Sequence, residues 1–297
     1  MSLNADQTAA PVMRQIPRRY VALALIVVAI LLLGALVFIR NHTALDSTGK
    51  TETFTPAPAS LLTPVTHVPS AIIDAVGVTS PSTTITAPRA TGNPSLWQEP
   101  THGVEALPVV FFYGAEFAPY AATERWPLIV ALSRFGSFGQ LGLMQSSSTV
   151  AFPGVPTFTF WHATYSSDWL SLKTVERYSA QDLTGGGYTV LQAPDTREAA
   201  SVAAYDTPPI TFPLLDIANH YVLVGSSFTP SVFDGLSQAQ IAVDLATPTS
   251  LVTQAVVAAA NEITASICAV TGQQPGAVCS GRGVESADQK MGLRAPG

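Results

Sequence analysis

Charge is scarce in this sequence and cysteine scarcer still. Only 11% of the 297 residues are Asp, Glu, Lys or Arg, and the balance of 14 basic against 20 acidic residues leaves a formal net charge of -6. No basic stripe is available to displace counterions from a phosphate backbone, so nucleic acid is not expected as a partner. The five histidines, His42, His67, His102, His162 and His220, fall without ligand spacing. No metal centre is expected from them, and the lack of a glycine-rich phosphate loop or a Gly-x-Ser-x-Gly elbow leaves no cofactor either. Two cysteines, Cys268 and Cys279, are too few for a disulfide framework. Their closeness in sequence suggests that they pair with each other as a structural bridge. A redox-active pair is the alternative, although neither cysteine stands in a Cys-x-x-Cys helix start.

Apolar residues, by contrast, make up 47% of the chain, and part of that excess is one long run. YVALALIVVAILLLGALVFI, residues 20–39, is twenty residues without a charge, enough as a helix to span roughly 30 Å of hydrocarbon. Its apolar core is longer than that of a cleaved signal peptide, the competing reading, and no small-x-small cleavage site follows. Arg14, Arg18 and Arg19 precede the run against Arg40 and Lys50 after it. The positive-inside rule therefore puts residues 1–19 in the cytoplasm and everything beyond the span outside the cell membrane, with the membrane crossed once.

Residues 40–67 are rich in Thr, Ser and Pro and read as a flexible tether, and residues 281–297 as a disordered tail. Between them, 68–280 carries the periodicities of an α/β domain. PSAIIDAVGV is a short amphipathic helix; residues 107–113 form a buried strand; a helix from Pro119 to about Phe135 follows; and residues 141–147 form the next strand, expected to lie parallel to the first. Residues 157–161 and 169–176 read as an added hairpin, and 188–192 as a further strand. Asp195 with Glu198 and Ser237 with Gln240 match capping boxes that open helices. Residues 210–217 and 221–227 are two strands joined by a tight connection, and Val252, Val256, Ala259, Ile263 and Ile267 define one face of a long C-terminal helix.

The chemistry of interest sits at the first strand-to-helix turn, GAEFAPYAATERW. Cysteines in place of Ala118 and Ala121 would make it Cys-Pro-Tyr-Cys, a dithiol-disulfide site whose first thiol gains acidity from the helix N-terminus. Alanine can neither attack a disulfide nor resolve one. Glu116, two residues earlier, reads as a partly solvated loop carboxylate, with a buried acid near the turn as the alternative. The turn, together with PTFTF, TFPLLDIANHYVLVGSSF and ANEITASICAVTGQQPGAVC, resembles over about 68–280 a prokaryotic thioredoxin-like family, domain of unknown function 929. Members usually carry Cys-Pro-Tyr-Cys where this chain has Ala118, Pro119, Tyr120 and Ala121. An ordinary strand-to-helix turn without redox ancestry is the plainer alternative.

The resemblance implies an α/β fold: a thioredoxin-like mixed sheet flanked by helices, with the added hairpin, a helical C-terminal extension and the preceding transmembrane helix. It implies a cis-proline at Phe212-Pro213 facing the turn, beside which the main chain pairs with an extended peptide; a strand-entry proline without a partner is the simpler reading. The expectation that follows is a membrane-anchored extracytoplasmic binding or scaffold module without the redox dithiol. Two alternatives stand beside it: a thiol-disulfide oxidoreductase, acting through Cys268 and Cys279 or a cysteine-to-alanine form of one, and a structural envelope protein.

Overall fold

The computed structural model describes residues 53–80, 82–101, 104–183 and 186–293. The expected membrane span, 20–39, and the tether up to residue 52 lie outside the described residues. In chain order the elements are α1 (Ala59–Thr66), α2 (Ser70–Val76), β1 (Arg89–Ala90), β2 (Gln98–Thr101), β3 (Val104–Gly114), α3 (Pro119–Leu132), β4 (Gly136–Gln145), β5 (Pro156–Ser167) and β6 (Ser171–Glu176). They continue with β7 (Tyr178–Asp182), β8 (Tyr188–Val190), α4 (Thr196–Tyr205), β9 (Leu214–Ile217), β10 (Tyr221–Val224), a 3-10 turn (Pro230–Phe233), α5 (Gln238–Asp244), α6 (Leu251–Val270), α7 (Gly276–Cys279) and α8 (Arg282–Met291).

A mixed sheet flanked by helices organises the domain, and β3 is at its centre. β9 pairs antiparallel to β3, with Val110 opposite Ile217 and Tyr113 opposite Leu214; β10 and then β1 extend the sheet on that side. β6 lies parallel on the other side, from Val109 opposite Ser171 to Gly114 opposite Glu176. β2 pairs antiparallel with the beginning of β3. Alternation along β3 divides the core in two. Val110 and Phe112 face α3 and α6, while Val109, Phe111 and Tyr113 face Trp97, Val202 of α4, Leu214 and Val222. A strand covered on both faces has no polar side to show, which is why LPVVFFY is apolar without interruption.

The strand parallel to β3 is β6, not residues 141–147 as expected. Those residues belong to β4, which turns back on β5 in a two-stranded sheet of their own. The added hairpin is thus β4–β5 rather than 157–161 with 169–176, and the crossover from β3 to its parallel neighbour runs through α3 and this whole hairpin. Right-handed crossovers bring parallel strands together without requiring that they be consecutive.

Apart from Tyr120, every residue of α3 is buried, between the sheet, β5, α1 and α6, and the helix accordingly lacks a solvated polar face. Asp195 and Ser237 cap α4 and α5 through complete capping boxes. α6 is long and apolar enough by composition to cross a membrane, but here most of it is buried within the domain. A disulfide joins Cys268 at its end to Cys279 of α7, with the Cα atoms 5.7 Å apart.

Both boundaries of the domain differ from expectation. Residues 282–291, assigned to a disordered tail, form α8, with Val284 and Ala287 buried; the polar composition of this stretch conceals a narrow inward stripe. Much of the expected tether is also ordered. Thr55 accepts from the Leu143 amide at 2.7 Å and Ala57 donates to Leu141 at 2.8 Å, so the chain joins the edge of β4 before α1 buries Val65. α2 is then secured by Asn261 of α6, whose amide donates to the carbonyls of Ile73 at 3.1 Å and Gly77 at 2.8 Å.

Candidate functional site

β3 ends at Gly114, and the next residues form a tight descent into α3. The Glu116 amide donates to Tyr178 at 2.8 Å, and the Ala118 amide to Ala115 at 3.2 Å. Ala118 is the N-cap, extended at φ -80° and ψ 123°, and Pro119 follows inside the first turn, where a missing N–H costs nothing. An N-cap side chain points at the unpaired amides of the second and third helical residues. Here no side chain caps the helix, because a methyl group stands where an acceptor would serve. A sulfur at position 118 would meet those N–H groups and the positive end of the helix dipole. Ala118 keeps 6% of its surface exposed and Ala121 none, so of the two positions 118 is the outward one.

Phe212-Pro213, placed by the sequence pattern at the entry to β9, comes to the same end of the sheet, and its peptide bond is cis. The Phe212 ring packs edge-on against Phe117, with centroids 5.9 Å apart, and lies 5.4 Å from Tyr113; Phe117 in turn stacks on Tyr188 at 4.0 Å. Tyr120, 42% exposed, meets Phe152 edge to face. The flanking residues Thr211 and Pro213 are engaged, the former through Asp206 at 2.6 Å and the latter through the Gly225 amide at 2.7 Å. Among the described residues, no hydrogen bond uses the backbone N–H or C=O of Phe212. Cys268 and Cys279 are elsewhere, buried at the end of α6.

Sequence reasoning missed the polar groups beneath the turn. Arg125 and Glu176 form a bidentate ion pair without exposed surface: Nε donates to Oε1 at 2.9 Å and Nη2 to Oε2 at 2.6 Å. Nη2 also reaches the Ala115 carbonyl at 3.3 Å, the same oxygen that accepts from Ala118. The guanidinium is therefore two hydrogen bonds from the N-cap. An adjacent Glu124-Arg125 pair inside a largely apolar helix was the available signal. Glu116 is buried rather than solvated, and accepts from the Thr159 hydroxyl at 2.5 Å. Glu124, on α3, is also fully enclosed; it accepts from the Ser227 amide at 2.6 Å and the Ser227 hydroxyl at 3.0 Å. Loss of hydration on burial pushes its carboxyl up to about 8, against the pull of the Ser227 hydrogen bonds, and nearby Glu262 adds to the rise.

Among the described residues, no cluster of three or more His, Cys, Asp or Glu could hold a metal ion. Residues 103–184 match a family model described as Domain of unknown function (DUF929). That stretch contains β3, the turn, α3 and the strands to β7, and is less than a third of the chain. The expected likeness over 68–280 is thus carried by 103–184, without Phe212-Pro213 or the cysteines. No curated protein matches the chain, and no solved structure does.

Proposed function

We propose that this protein is a membrane-anchored, extracytoplasmic thioredoxin-like binding module that has lost, or lacks, dithiol chemistry. The observation that carries the reading is the free main chain of Phe212, held between two engaged neighbours next to the Ala118–Ala121 turn. In thioredoxin-like domains the central strand leads into the redox helix, a parallel strand flanks it on one side, and an antiparallel strand headed by a cis-proline flanks it on the other. The order β6, β3, β9, β10, with cis Pro213 heading β9, agrees with that plan. An unpaired N–H and C=O on one residue suit a single rung of strand addition by an extended peptide, and the surrounding rings offer its side chains an apolar bed.

The anchoring part of the proposal rests on residues 20–39 and the arginines before them. The Cys268–Cys279 bridge suits the oxidising side of a membrane. Because both sulfurs are buried, the pair acts as a brace, which argues against an oxidoreductase working through it.

The test is hydrogen exchange on the full-length protein in detergent micelles, with and without an excess of unstructured, cysteine-free peptides. Slower exchange at the Phe212 amide, with no insulin reduction by the same preparation, supports the binding module. If no peptide slows exchange over 211–214, the groove is not a docking site and a structural envelope role takes precedence.

A further inference from the structure

A cavity of about 150 Å³ opens beside the turn, between the entering residues 53–55, the β4–β5 hairpin and β7. Its floor is buried and carries Glu116, Thr159 and Trp161; Gln145 and Gln181 stand exposed at its mouth. The floor is tied together. The Thr159 hydroxyl donates to Glu116 Oε1 at 2.5 Å and accepts from the Trp161 amide at 3.0 Å, while the Glu116 amide is held by the Tyr178 carbonyl at 2.8 Å. A carboxylate offers about four acceptor positions, so the bond from Thr159 leaves Glu116 able to serve further donors. Among the described residues that line the cavity, Glu116 is the charged one, and none is Lys or Arg. Charged groups on the surrounding elements are engaged elsewhere. Arg177, between β6 and β7, donates to the Gln192 carbonyl at 2.9 Å and lies over the Tyr178 ring; Asp182 accepts from the Ser147 hydroxyl at 3.3 Å; Arg125 and Glu176 close on each other beneath the turn. His162, next to Trp161, meets the Phe54 ring nearly at right angles with centroids 6.0 Å apart.

We propose that this cavity binds a primary alkylammonium group, carried by a lysine side chain or by a free amine. An ammonium has three N–H donors and one positive charge. The Glu116 carboxylate accepts from it, the amide oxygens of Gln145 and Gln181 offer further acceptors at the mouth, and the indole of Trp161 attracts the charge through its face. Leu143 and Met144 supply an apolar wall for the hydrocarbon behind the charge. The volume sets the limit on size: it is well below the ~300 Å³ at which pockets for drug-sized ligands begin, so a short unbranched chain fits and a bulky cation does not. A divalent metal is a poor match, because it takes six or more oxygen ligands and a lone carboxylate falls short of that set. The cavity adjoins the groove proposed above, since Phe117, the residue after Glu116, packs its ring against Phe212. Recognition of the ammonium does not require that a peptide docks there.

The experiment follows the indole N–H resonance of Trp161 in the full-length protein in non-ionic detergent micelles. The protein is titrated with n-butylammonium chloride, with n-butanol and potassium chloride as controls. Butylammonium alone should move the resonance. The variant E116Q keeps the shape of the side chain without its charge and should weaken binding about tenfold or more, the scale of a hydrogen bond to an ionised group. If E116Q does not fold, the comparison of butylammonium with butanol on the native protein decides alone. An equal shift with butanol would mean apolar filling and overturn the recognition of charge. An equal shift with potassium would overturn the ammonium, and no shift with butylammonium would overturn the site. A cysteine-free peptide with one lysine, set against the same peptide with that lysine acetylated, separates the two sources. A shift with the lysine form alone supports a side chain as the ligand; no shift with either peptide, while butylammonium binds, supports a free amine. None of these results decides whether peptides slow exchange at the Phe212 amide.

Discussion

Replacing Glu176 by Gln tests the polar support of the turn most directly. The substitution keeps the shape of the side chain but leaves Arg125, which has no exposed surface, as a buried cation without a counter-ion. Breaking a buried pair from one side costs about 3 to 5 kcal/mol, because the surviving charge keeps its desolvation penalty and loses its attraction. One of the two acceptor oxygens goes with it: Oε1 accepts from Arg125 Nε at 2.9 Å and the Phe160 amide at 3.3 Å, Oε2 accepts from Nη2, and the amide of Gln can serve only one of these sets. The reciprocal substitution, Arg125→Met, strands the Glu176 carboxylate in the same way and should carry a cost of the same order. The double replacement Arg125→Met with Glu176→Gln removes both charges and should cost less than the two single replacements summed. Urea denaturation followed by tryptophan fluorescence measures all four proteins, and the cycle should return a coupling of about 3 kcal/mol or more. If Glu176→Gln costs less than about 1 kcal/mol, or the two single effects simply add, then the pair is not the buried, mutually dependent unit described here.

Replacing Cys268 and Cys279 with serine should cost about 3 kcal/mol through the entropy of a loop closed over a separation of 11 residues, measured as a lower urea midpoint. The double substitution Ala118→Cys with Ala121→Cys should form a reversible disulfide and show insulin reductase activity, with position 118 the first to be alkylated; a folded variant that never forms the bond would count against a redox ancestry for the turn. Asp195→Ala removes the cap that accepts from the Arg197 and Glu198 amides, each at 2.8 Å, and should cost about 1 kcal/mol with circular dichroism showing loss at α4 alone.

What could be read in the sequence was local. Asp195 with Glu198 and Ser237 with Gln240 announce helix starts because a capping box closes within four residues, and the inward faces of α2 and α6 show in their own spacing. The partner of β3 could not be read in this way. β4 and β6 have comparable strand character, and the choice between them is made by packing across an intervening hairpin. The same holds for the ion pair, whose members are 51 positions apart, and for Glu116, whose burial depends on Thr159 from a distant strand. α8 was hidden for another reason: two apolar residues, Val284 and Ala287, suffice to dock a helix when α6 supplies a ready surface.

The way the chain enters the domain has a mechanical consequence. Residues 55–57 attach to β4, and β4 shares its ladder with β5 rather than with the sheet that contains β3. Tension arriving through the preceding residues would therefore be borne first at the Thr55 and Ala57 bonds and then by the hairpin. Beyond the hairpin the same segment runs into α1, which packs on α3, so the load would reach the helix that Ala118 opens before it reached the β3–β9 seam.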